Sequence, residues 1–355
     1  MGKRRDKKKV TIRDIANRLG LSAMTVSLAL RDNPRISPET KDRIRAVMEE
    51  MEYKPSHVAR ALATGKSNLI GVIVPNSSDH YYAEIIHAIE DQASVAGYHV
   101  LLANGSYEME RYIERVRDMM GLHIGGIITA PPFTSERPAL TVFWQDALES
   151  DFQVVLVNRE LRPPIFHQVA ADYISGVKRV VEALSKFGHH RVAYISGRPA
   201  MLPIRQRLSA FKRYARKRGF EQDERLFEFS DLSFAGGYEA SRKLWTNTGP
   251  KPSAIVAFSD VVAVGALRYL DESGIAVPDE VSVISFDGTA VGEYTHTSLS
   301  TVITPMYDIG KQAFDLLIGA MSGQYPEARS LILPVELMLR ESVGEAPTRR
   351  KFKAA

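Results

Sequence analysis

Near the amino terminus, residues 10–30 read VTIRDIANRLGLSAMTVSLAL, and this stretch determines how the first part of the chain folds. Thr11 can cap a helix, and Gly20 can end that helix after about two turns. Ser22 can then cap a second helix that continues to about Leu30. So short a helix–glycine–helix connection is typical of the helix-turn-helix unit, whose second helix enters the DNA major groove.

A third helix and an uneven charge distribution extend this interpretation. Ser37 followed by Pro38 indicates a helix that runs to about Tyr53. Residues 1–66 hold 16 Lys and Arg against 8 Asp and Glu, a net of +8, whereas the whole chain carries +4. A basic head joined to a mildly acidic body is typical of nucleic-acid-binding proteins. The alternative is a three-helix bundle without a DNA role; the tight turn and the charge favour the DNA-binding interpretation.

Bulk composition excludes several classes of protein. A chain of 355 residues with 45% hydrophobic and 25% charged residues suits two or three ordinary globular units. No run approaches eighteen apolar residues, so we expect no membrane partner. After the basic residues 3–9 polar and apolar residues alternate, so the apolar region of a signal peptide is missing and we expect a cytoplasmic protein. Because the chain has no cysteine, disulfides and thiolate metal sites are excluded.

Beyond residue 66 short apolar runs alternate with helical segments. Continuous apolar strands between helices indicate buried parallel sheets, and two such sets in series predict two doubly wound lobes. Ligands of these sheets bind beyond the carboxyl ends of the strands, so facing lobes create a cleft. The predicted strands are Leu69–Val74, His99–Leu102, Ile127–Thr129, Val154–Val157, Val192–Ser196, Ile255–Phe258 and Val281–Phe286.

Polar and aromatic side chains follow the ends of these strands and are the candidates for ligand contacts. A tyrosine can stack on a flat ring, and arginine and carboxylate groups can hydrogen-bond hydroxyls, which together suit a sugar or sugar derivative. A purine is the alternative, because adjacent tyrosines can also stack on a nucleobase. The candidate residues are Asn76, Tyr81, Tyr82, Asn158, Arg207, Ser259 and Asp287; Asp260, next to Ser259, also follows the end of a strand.

Enzyme signatures are missing from the sequence. It contains neither the phosphate-binding loop G-x-x-x-x-G-K-[ST] nor the hydrolase patterns H-E-x-x-H and G-x-S-x-G. We therefore predict no catalytic residue, no metal site and no cofactor. Two alternatives stay open at this point: a periplasmic-type sugar-binding protein without a role in gene regulation, and an enzyme of the doubly wound class.

Several motifs resemble one known family. The runs VTIRDIA at 10–16, GLS at 20–22 and TVS at 25–27, followed by YKP at 53–55 and VARALA at 58–63, resemble the headpiece and adjoining segment of the lactose-repressor (LacI/GalR) family. The likeness continues to about residue 345. It implies an all-α helix-turn-helix headpiece plus an α/β periplasmic-binding-protein-like body of two doubly wound lobes. It also implies a repressor that binds double-stranded operator DNA as a homodimer under the control of a small-molecule effector.

The resemblance assigns roles to residues of the headpiece. Ala23, Met24 and Leu28 match positions that project from the second helix to base edges. Leu28 stands where the family commonly has an arginine, so the three side chains offer only apolar contacts, such as with a thymine methyl group. Phosphate contacts, which fix the register without specifying sequence, are expected from Thr11, Ser22, Thr25, Ser27 and Asn33.

The segment 55–63 is expected to act as a hinge. A helix of about two turns is marginal in water, so it can order when two copies pack together on DNA. The resemblance implies that Leu62 enters a minor-groove base step and that Val58 and Ala59 belong to the same DNA-contacting segment. A plain linker between domains is the alternative.

The resemblance also specifies effector contacts and domain limits. It matches Tyr82, Asn158, Arg207, Ser259 and Asp287 to effector-binding positions, although Asn158 replaces a common aspartate and Ser259 a common asparagine. The predicted parts are a headpiece at 1–54, a hinge at 55–66, an effector-binding and dimerisation domain at 67–345, and a basic tail at 346–355. Within the domain, the first lobe takes about 67–170 and 301–331 and the second about 171–300 and 332–345.

Overall fold

The computed structural model describes residues 10–30, 33–53, 67–132, 152–161, 163–198, 202–247 and 249–347. The chain divides into two compact units, Met1–Ser67 and Asn68–Ala355. The predicted hinge residues Val58, Ala59 and Leu62 and most of the basic tail lie outside the described residues. Within the described part, no helix combines the length and the apolar character needed to cross a membrane.

The first unit contains three helices, α1 (Ile12–Leu19), α2 (Ala23–Leu30) and α3 (Pro38–Glu50). Their predicted starts are confirmed. Thr11 and Asp14 form a reciprocal capping box, in which each side chain bonds the backbone N–H of the other. Gly20 ends α1 with φ 63°, a left-handed conformation that glycine adopts without strain.

The third helix ends earlier than predicted. Ser37 caps it and Pro38 occupies its first turn, as expected, but it stops at Glu50 rather than near Tyr53. Glu52 has φ 51°, and the Tyr53 N–H bonds the carbonyl of Met48, so the chain closes the helix with a left-handed turn.

A small apolar core holds the three helices together. Ile15 and Ala16 of α1, Val26 and Ala29 of α2, and Ile44 of α3 are buried against one another. Since Val26 and Ala29 are three residues apart, they define the inward face of α2 and leave the opposite face exposed.

The second unit alternates strands with helices, as predicted. Its first elements are two strand–helix pairs, whose strands belong to the sheet of the first lobe. The bounds are β1 (Leu69–Val74), α4 (His80–Ala96), β2 (His99–Asn104), α5 (Met109–Gly121), β3 (Gly126–Thr129), β4 (Gln153–Val157), β5 (His167–Ala171), α6 (Tyr173–Lys186), β6 (Val192–Ser196), α7 (Leu202–Lys217), β7 (Phe227–Phe229), α8 (Phe234–Thr246), β8 (Ala254–Ala257), α9 (Asp260–Glu272), β9 (Ser282–Asp287), α10 (Ala290–Glu293), β10 (Ser300–Ile303), α11 (Met306–Met321), β11 (Ser330–Leu333) and β12 (Glu336–Met338).

Two sheets, each of six described strands, confirm the two doubly wound lobes. The first has the order β11-β5-β4-β3-β1-β2, with all neighbours parallel. The second has the order β12-β10-β9-β8-β6-β7 and is parallel except for the antiparallel edge strand β12. Central strands such as β8 and β9 are buried along their whole length, and β8 is accordingly apolar at every position.

Among the described residues after 300, the chain crosses from one lobe to the other twice. Each crossing lies a few residues later than the predicted domain limit, which was 300/301 for the first and 331/332 for the second. Residues 300–303 form β10 and pair with β9 in the second sheet. Residues 330–333 form β11 and pair with β5 in the first sheet. Pairing partners decide which lobe a short strand joins. The partner of β11 is β5, which lies far away in sequence, so the sequence pattern did not locate that crossing.

Candidate DNA-binding and effector-binding sites

The exposed face of α2 is the candidate base-contacting surface of the first unit. Ala23 and Met24 are exposed, and the Met24 side chain is the more prominent, at 68% exposure. Ser27 and Leu28 are half-buried and lie one turn further along on the same face. The structure thus brings Ala23, Met24, Ser27 and Leu28 together on one face.

The predicted phosphate-contacting residues cluster at helix ends and turns. Ser22 and Thr25 share a hydroxyl–hydroxyl hydrogen bond of 2.8 Å, and the Thr25 N–H donates to Ser22 Oγ. Thr11 caps α1, and the Asn33 side-chain oxygen accepts from the Arg35 N–H in the turn before α3. Their roles toward DNA remain predictions, as do those of Val58, Ala59 and Leu62.

In the second unit, Arg207 is the centre of a buried cluster. It lies on α7 with 4% exposure, and its guanidinium carbon is 3.4 Å from the ring centroid of Tyr173 and 4.3 Å from that of Phe258. One terminal nitrogen donates to the carbonyl of Phe258 at 3.3 Å. Its Nε has no hydrogen-bond partner among the described residues, and a buried unpaired donor of this kind is unfavourable unless a ligand supplies the acceptor.

Tyrosine side chains connect the two lobes beside this arginine. The hydroxyls of Tyr81, on α4, and Tyr173, on α6, are hydrogen-bonded at 3.0 Å. Tyr81 and Tyr82 meet edge to face with centroids 5.1 Å apart, and Tyr82 hydrogen-bonds Asn158. Burial raises the pKa of Tyr81 well above its ordinary value, with the neighbouring Tyr173 hydroxyl adding to the rise. These phenols are therefore neutral hydrogen-bonding groups.

Asp287 ends β9 and supplies the carboxylate of the cluster. Its φ is 110° and that of the following Gly288 is 76°, so the backbone turns sharply at the end of the strand. Burial raises the pKa of Asp287 well above its usual range, the charge of Asp260 raises it further, and the positive charge of Arg207 opposes both effects. Strained backbone conformations of this kind cluster at binding sites.

Asp260 holds the loop that follows Asp287. This buried carboxylate accepts hydrogen bonds from the hydroxyls of Ser285 and Thr301 and from both the N–H and the hydroxyl of Thr289. It is the first residue of α9, so the helix N-terminus adds a favourable field. Asp260 therefore fixes α9, β9 and β10 relative to one another and positions Asp287.

The remaining predicted effector residues occupy strand ends but differ in their surroundings. Asn158 follows β4 with φ 55° and contacts the tyrosine cluster through Tyr82. Ser259 caps α9, its hydroxyl accepting the Val262 N–H at 3.4 Å. Asn76 is exposed, and its side-chain oxygen accepts from the N–H and the hydroxyl of Ser78. The roles of all three toward an effector remain predictions.

Tyr173 was not predicted as a site residue, and Asp260 was predicted only as a residue that follows the end of a strand. A signal for Tyr173 was available, because it comes two residues after the end of β5, at the sheet edge where the other candidates lie. For Asp260 the local signal was its place just after β8, but its role in holding the loop could not be predicted. Its partners Ser285, Thr289 and Thr301 are 25 to 41 residues away in the chain.

Comparison with known proteins accounts for both units. Residues 11–56 match the family described as bacterial regulatory proteins, lacI family, and residues 181–343 match a periplasmic binding protein-like domain. The chain is 31% identical over 316 residues to the HTH-type transcriptional regulator AscG of Escherichia coli (strain K12), covering 88% of this chain and 92% of that protein. The chain belongs to the LacI family.

Other LacI-family proteins are similar along almost the whole chain. Catabolite control protein A of Priestia megaterium is 29% identical over 335 residues, 94% of this chain and 99% of that protein. The lac repressor dimer bound to operator and the anti-inducer ONPF has a TM-score of 0.84 at 25% identity, covering 95% of this chain and 100% of that one. The transcriptional regulator CelR in complex with cellobiose has a TM-score of 0.69 at 25% identity, covering 94% and 100%.

Membership of the LacI family confirms the predicted class of protein. The LacI-family chain is a DNA-binding transcriptional regulator with a periplasmic-binding-protein-like body, and it is not an enzyme. The match of residues 11–56 favours this function over that of a periplasmic-type sugar-binding protein, which would need no such headpiece.

Proposed function

We propose that this LacI-family regulator represses transcription from a specific operator, to which it binds as a homodimer, and that an uncharged sugar or sugar derivative between its lobes changes the operator affinity. The observation that carries the effector part is the buried Arg207, whose unpaired Nε lies in a cluster with Tyr173 and Asp287. The carboxylate and the guanidinium supply an acceptor and donors for hydroxyl groups, and the aromatic rings supply apolar faces.

The tyrosine geometry supports a sugar rather than a purine. A purine would need an open aromatic face on which to stack, whereas Tyr81 and Tyr82 pack edge to face at an interplanar angle of 86°. The hydroxyls are directed toward polar partners, which suits a ligand rich in hydroxyls. The regulator CelR, similar along nearly its whole length, is described in complex with cellobiose, which supports the same ligand class.

The proposed switch is a change in the arrangement of the two lobes. Tyr81 belongs to the first lobe and Tyr173 to the second, so a ligand that binds near their shared hydrogen bond contacts both lobes at once. We propose that the change reaches the DNA through the segment 55–66, where Leu62, Val58 and Ala59 order on the operator. A coupling of about 1–3 kcal/mol is typical of such linked sites. Binding of operator DNA implies a cytoplasmic location.

The effector part is tested by separating ligand response from DNA binding. Operator fragments are isolated from genomic DNA by retention on the immobilised chain, and their affinity is measured by fluorescence anisotropy with and without sugars identified by thermal shift. We expect Arg207→Ala to abolish the response to the sugar while basal operator affinity changes less than about twofold. An Arg207→Ala variant whose operator affinity still responds to the sugar would contradict the assignment of Arg207.

Leu62→Ala is the complementary variant. Removing a side chain that enters a base step should weaken specific operator binding about tenfold or more, because insertion of that side chain between the bases stabilises the bent DNA of the complex. Sugar affinity, measured by calorimetry, should stay unchanged. Operator binding that is unaffected by Leu62→Ala would show that the segment 55–66 is a plain linker.

A further inference from the structure

The composition of α2 restricts how this regulator can recognise bases. Its sequence, AMTVSLAL, contains neither a charged nor an amide side chain. The core uses Val26 and Ala29, which leaves a face formed by Ala23, Met24, Ser27 and Leu28. On this face two long apolar side chains, Met24 and Leu28, lie four residues apart and therefore one helical turn apart.

The chemistry of the major groove indicates what such a face can distinguish. Guanine is read by arginine or lysine, adenine by asparagine or glutamine, and cytosine by a carboxylate, because each pairing forms matched hydrogen bonds. None of these residue types is present on α2. The thymine 5-methyl group is the apolar feature that the groove offers, and Met24 and Leu28 are suited to pack against it.

Charge on the same unit identifies the occupant of this face as DNA rather than an apolar protein surface. Arg13, Arg35 and Arg43 are exposed on the three-helix unit, and residues 1–66 carry a net +8. Cationic side chains can pair with the phosphates on both sides of the major groove, while an apolar face can pack against methyl groups on the groove floor. A purely apolar partner would leave this positive charge uncompensated.

We propose that this regulator recognises its operator through thymine methyl groups, with Met24 and Leu28 each packed against the methyl of a T·A pair in each half-site. This inference rests on the proposed operator-binding function. Transfer of one methyl-sized group out of water changes an equilibrium constant about fourfold. Removal of one equivalent methyl from both half-sites should therefore weaken binding by roughly fifteenfold.

The test replaces thymine by uracil, which removes the methyl and leaves every hydrogen-bonding group in place. Duplexes with a random core are enriched on the full-length chain. The enriched operator is then resynthesised with deoxyuridine at each thymidine position in turn, and Kd is measured by fluorescence anisotropy. We expect losses of about fourfold at the positions facing Met24 and Leu28 and none outside the half-sites. A 5-methylcytosine·guanine pair at those positions should bind more tightly than cytosine·guanine.

Variants of the chain connect each methyl group to a side chain. Leu28→Ala should abolish the uracil effect at one position, and Met24→Ala, at a side chain 68% exposed, should abolish it at the other without disturbing the core. Leu28→Arg should shift the preference at its position toward guanine. The matched control is Arg43→Ala, which should weaken all sequences equally and leave the uracil effect intact.

The outcomes separate this inference from the proposed function. The methyl-reading role would be overturned if the enriched operators bind equally well with uracil. It would also be overturned if substitutions at both Met24 and Leu28 leave the operator affinity and the base preference unchanged. Either result would leave the regulator function intact. A library that yields no enriched duplex, together with no binding at low salt, would instead overturn operator binding itself.

Discussion

Asp287 combines a strained backbone with a buried carboxyl group. Because burial and the charge of Asp260 raise its pKa, Asp287 binds its proton more tightly in the folded chain than in the unfolded chain. Below the ordinary pKa of an aspartate this group is protonated in both the folded and the unfolded chain, so it adds no pH dependence to the free energy of unfolding. As the pH rises above that value, the free energy of unfolding decreases until the folded group also ionises.

Asp287→Asn should therefore stabilise the ligand-free protein in a pH-dependent way. The amide removes the cost of burying a charge, so the melting temperature should exceed that of the unmodified chain at pH 8 and match it at pH 4. Calorimetric melting across this range provides the measurement. Asp315→Asn, at an exposed position on α11, is the control and should show no such trend. Equal differences at both pH values would contradict the role of burial.

The hydroxyl bridge between the lobes gives a second prediction at this scale. Tyr173→Phe keeps the aromatic face under Arg207 but removes the hydrogen bond to Tyr81. Loss of a buried hydrogen bond costs about 1 kcal/mol, equivalent to a fall of about 2–4 °C in melting temperature for a unit of this size. Tyr107→Phe, at a side chain 47% exposed, should have little effect. An unchanged melting temperature for Tyr173→Phe would indicate that the bridge does not contribute to stability.

Among the elements, pairs of helices in each lobe approach so closely that only glycine fits between them. A Cβ on Gly265 of α9 would lie 2.0 Å from the carbonyl oxygen of Phe234 in α8. In the first lobe, a Cβ on Gly310 of α11 would lie 2.4 Å from the carbonyl oxygen of Ile85 in α4. Both obstacles are backbone atoms, which cannot move aside as a flexible side chain can.

Gly265→Ala should destabilise the second unit by about 1–3 kcal/mol or more, because the two helices must separate. Gly121→Ala is a matched control, since its Cβ would meet nothing within 4 Å and alanine favours the helix. Urea unfolding followed by circular dichroism measures both. A Gly265→Ala variant as stable as the Gly121→Ala variant would contradict the tight packing of α8 on α9.

Sequence signals that lie within a few residues of each other predicted the helices and strands well. Contacts between residues that are distant in the sequence could not be predicted. The caps at Thr11 and Ser37 and the stop at Gly20 depend on neighbours within one turn, so the helices of the first unit were located correctly at their starts. The carboxyl ends of the strands likewise gave most of the cluster around Arg207. The hydrogen bonds of Asp260 and the stacking of Tyr173 on Arg207 depend on the three-dimensional fold.

The charge distribution of the whole molecule predicts opposite salt responses at its two sites. Residues 1–66 carry +8 and the rest of the chain −4, so operator binding should release counterions and weaken steeply as salt increases. Between 50 and 200 mM salt, six to ten phosphate contacts in the dimer would reduce affinity by about 10³–10⁵. Anisotropy titrations measure this slope. Sugar affinity, measured by calorimetry in the same buffers, should change little; a comparable fall would contradict an uncharged ligand.

Because the chain crosses between the lobes near its carboxyl end, shortened forms of this regulator should lose parts of both lobes. In the described part of the chain, the backbone passes from one lobe to the other at 172, at 304–305 and at 334–335. A polypeptide terminated near residue 300 would lack β11 from one sheet, β10 and β12 from the other, and α11, which packs against α4 and over β3, β4 and β5. Neither lobe is a contiguous module, so a nonsense mutation near residue 300 should eliminate both together.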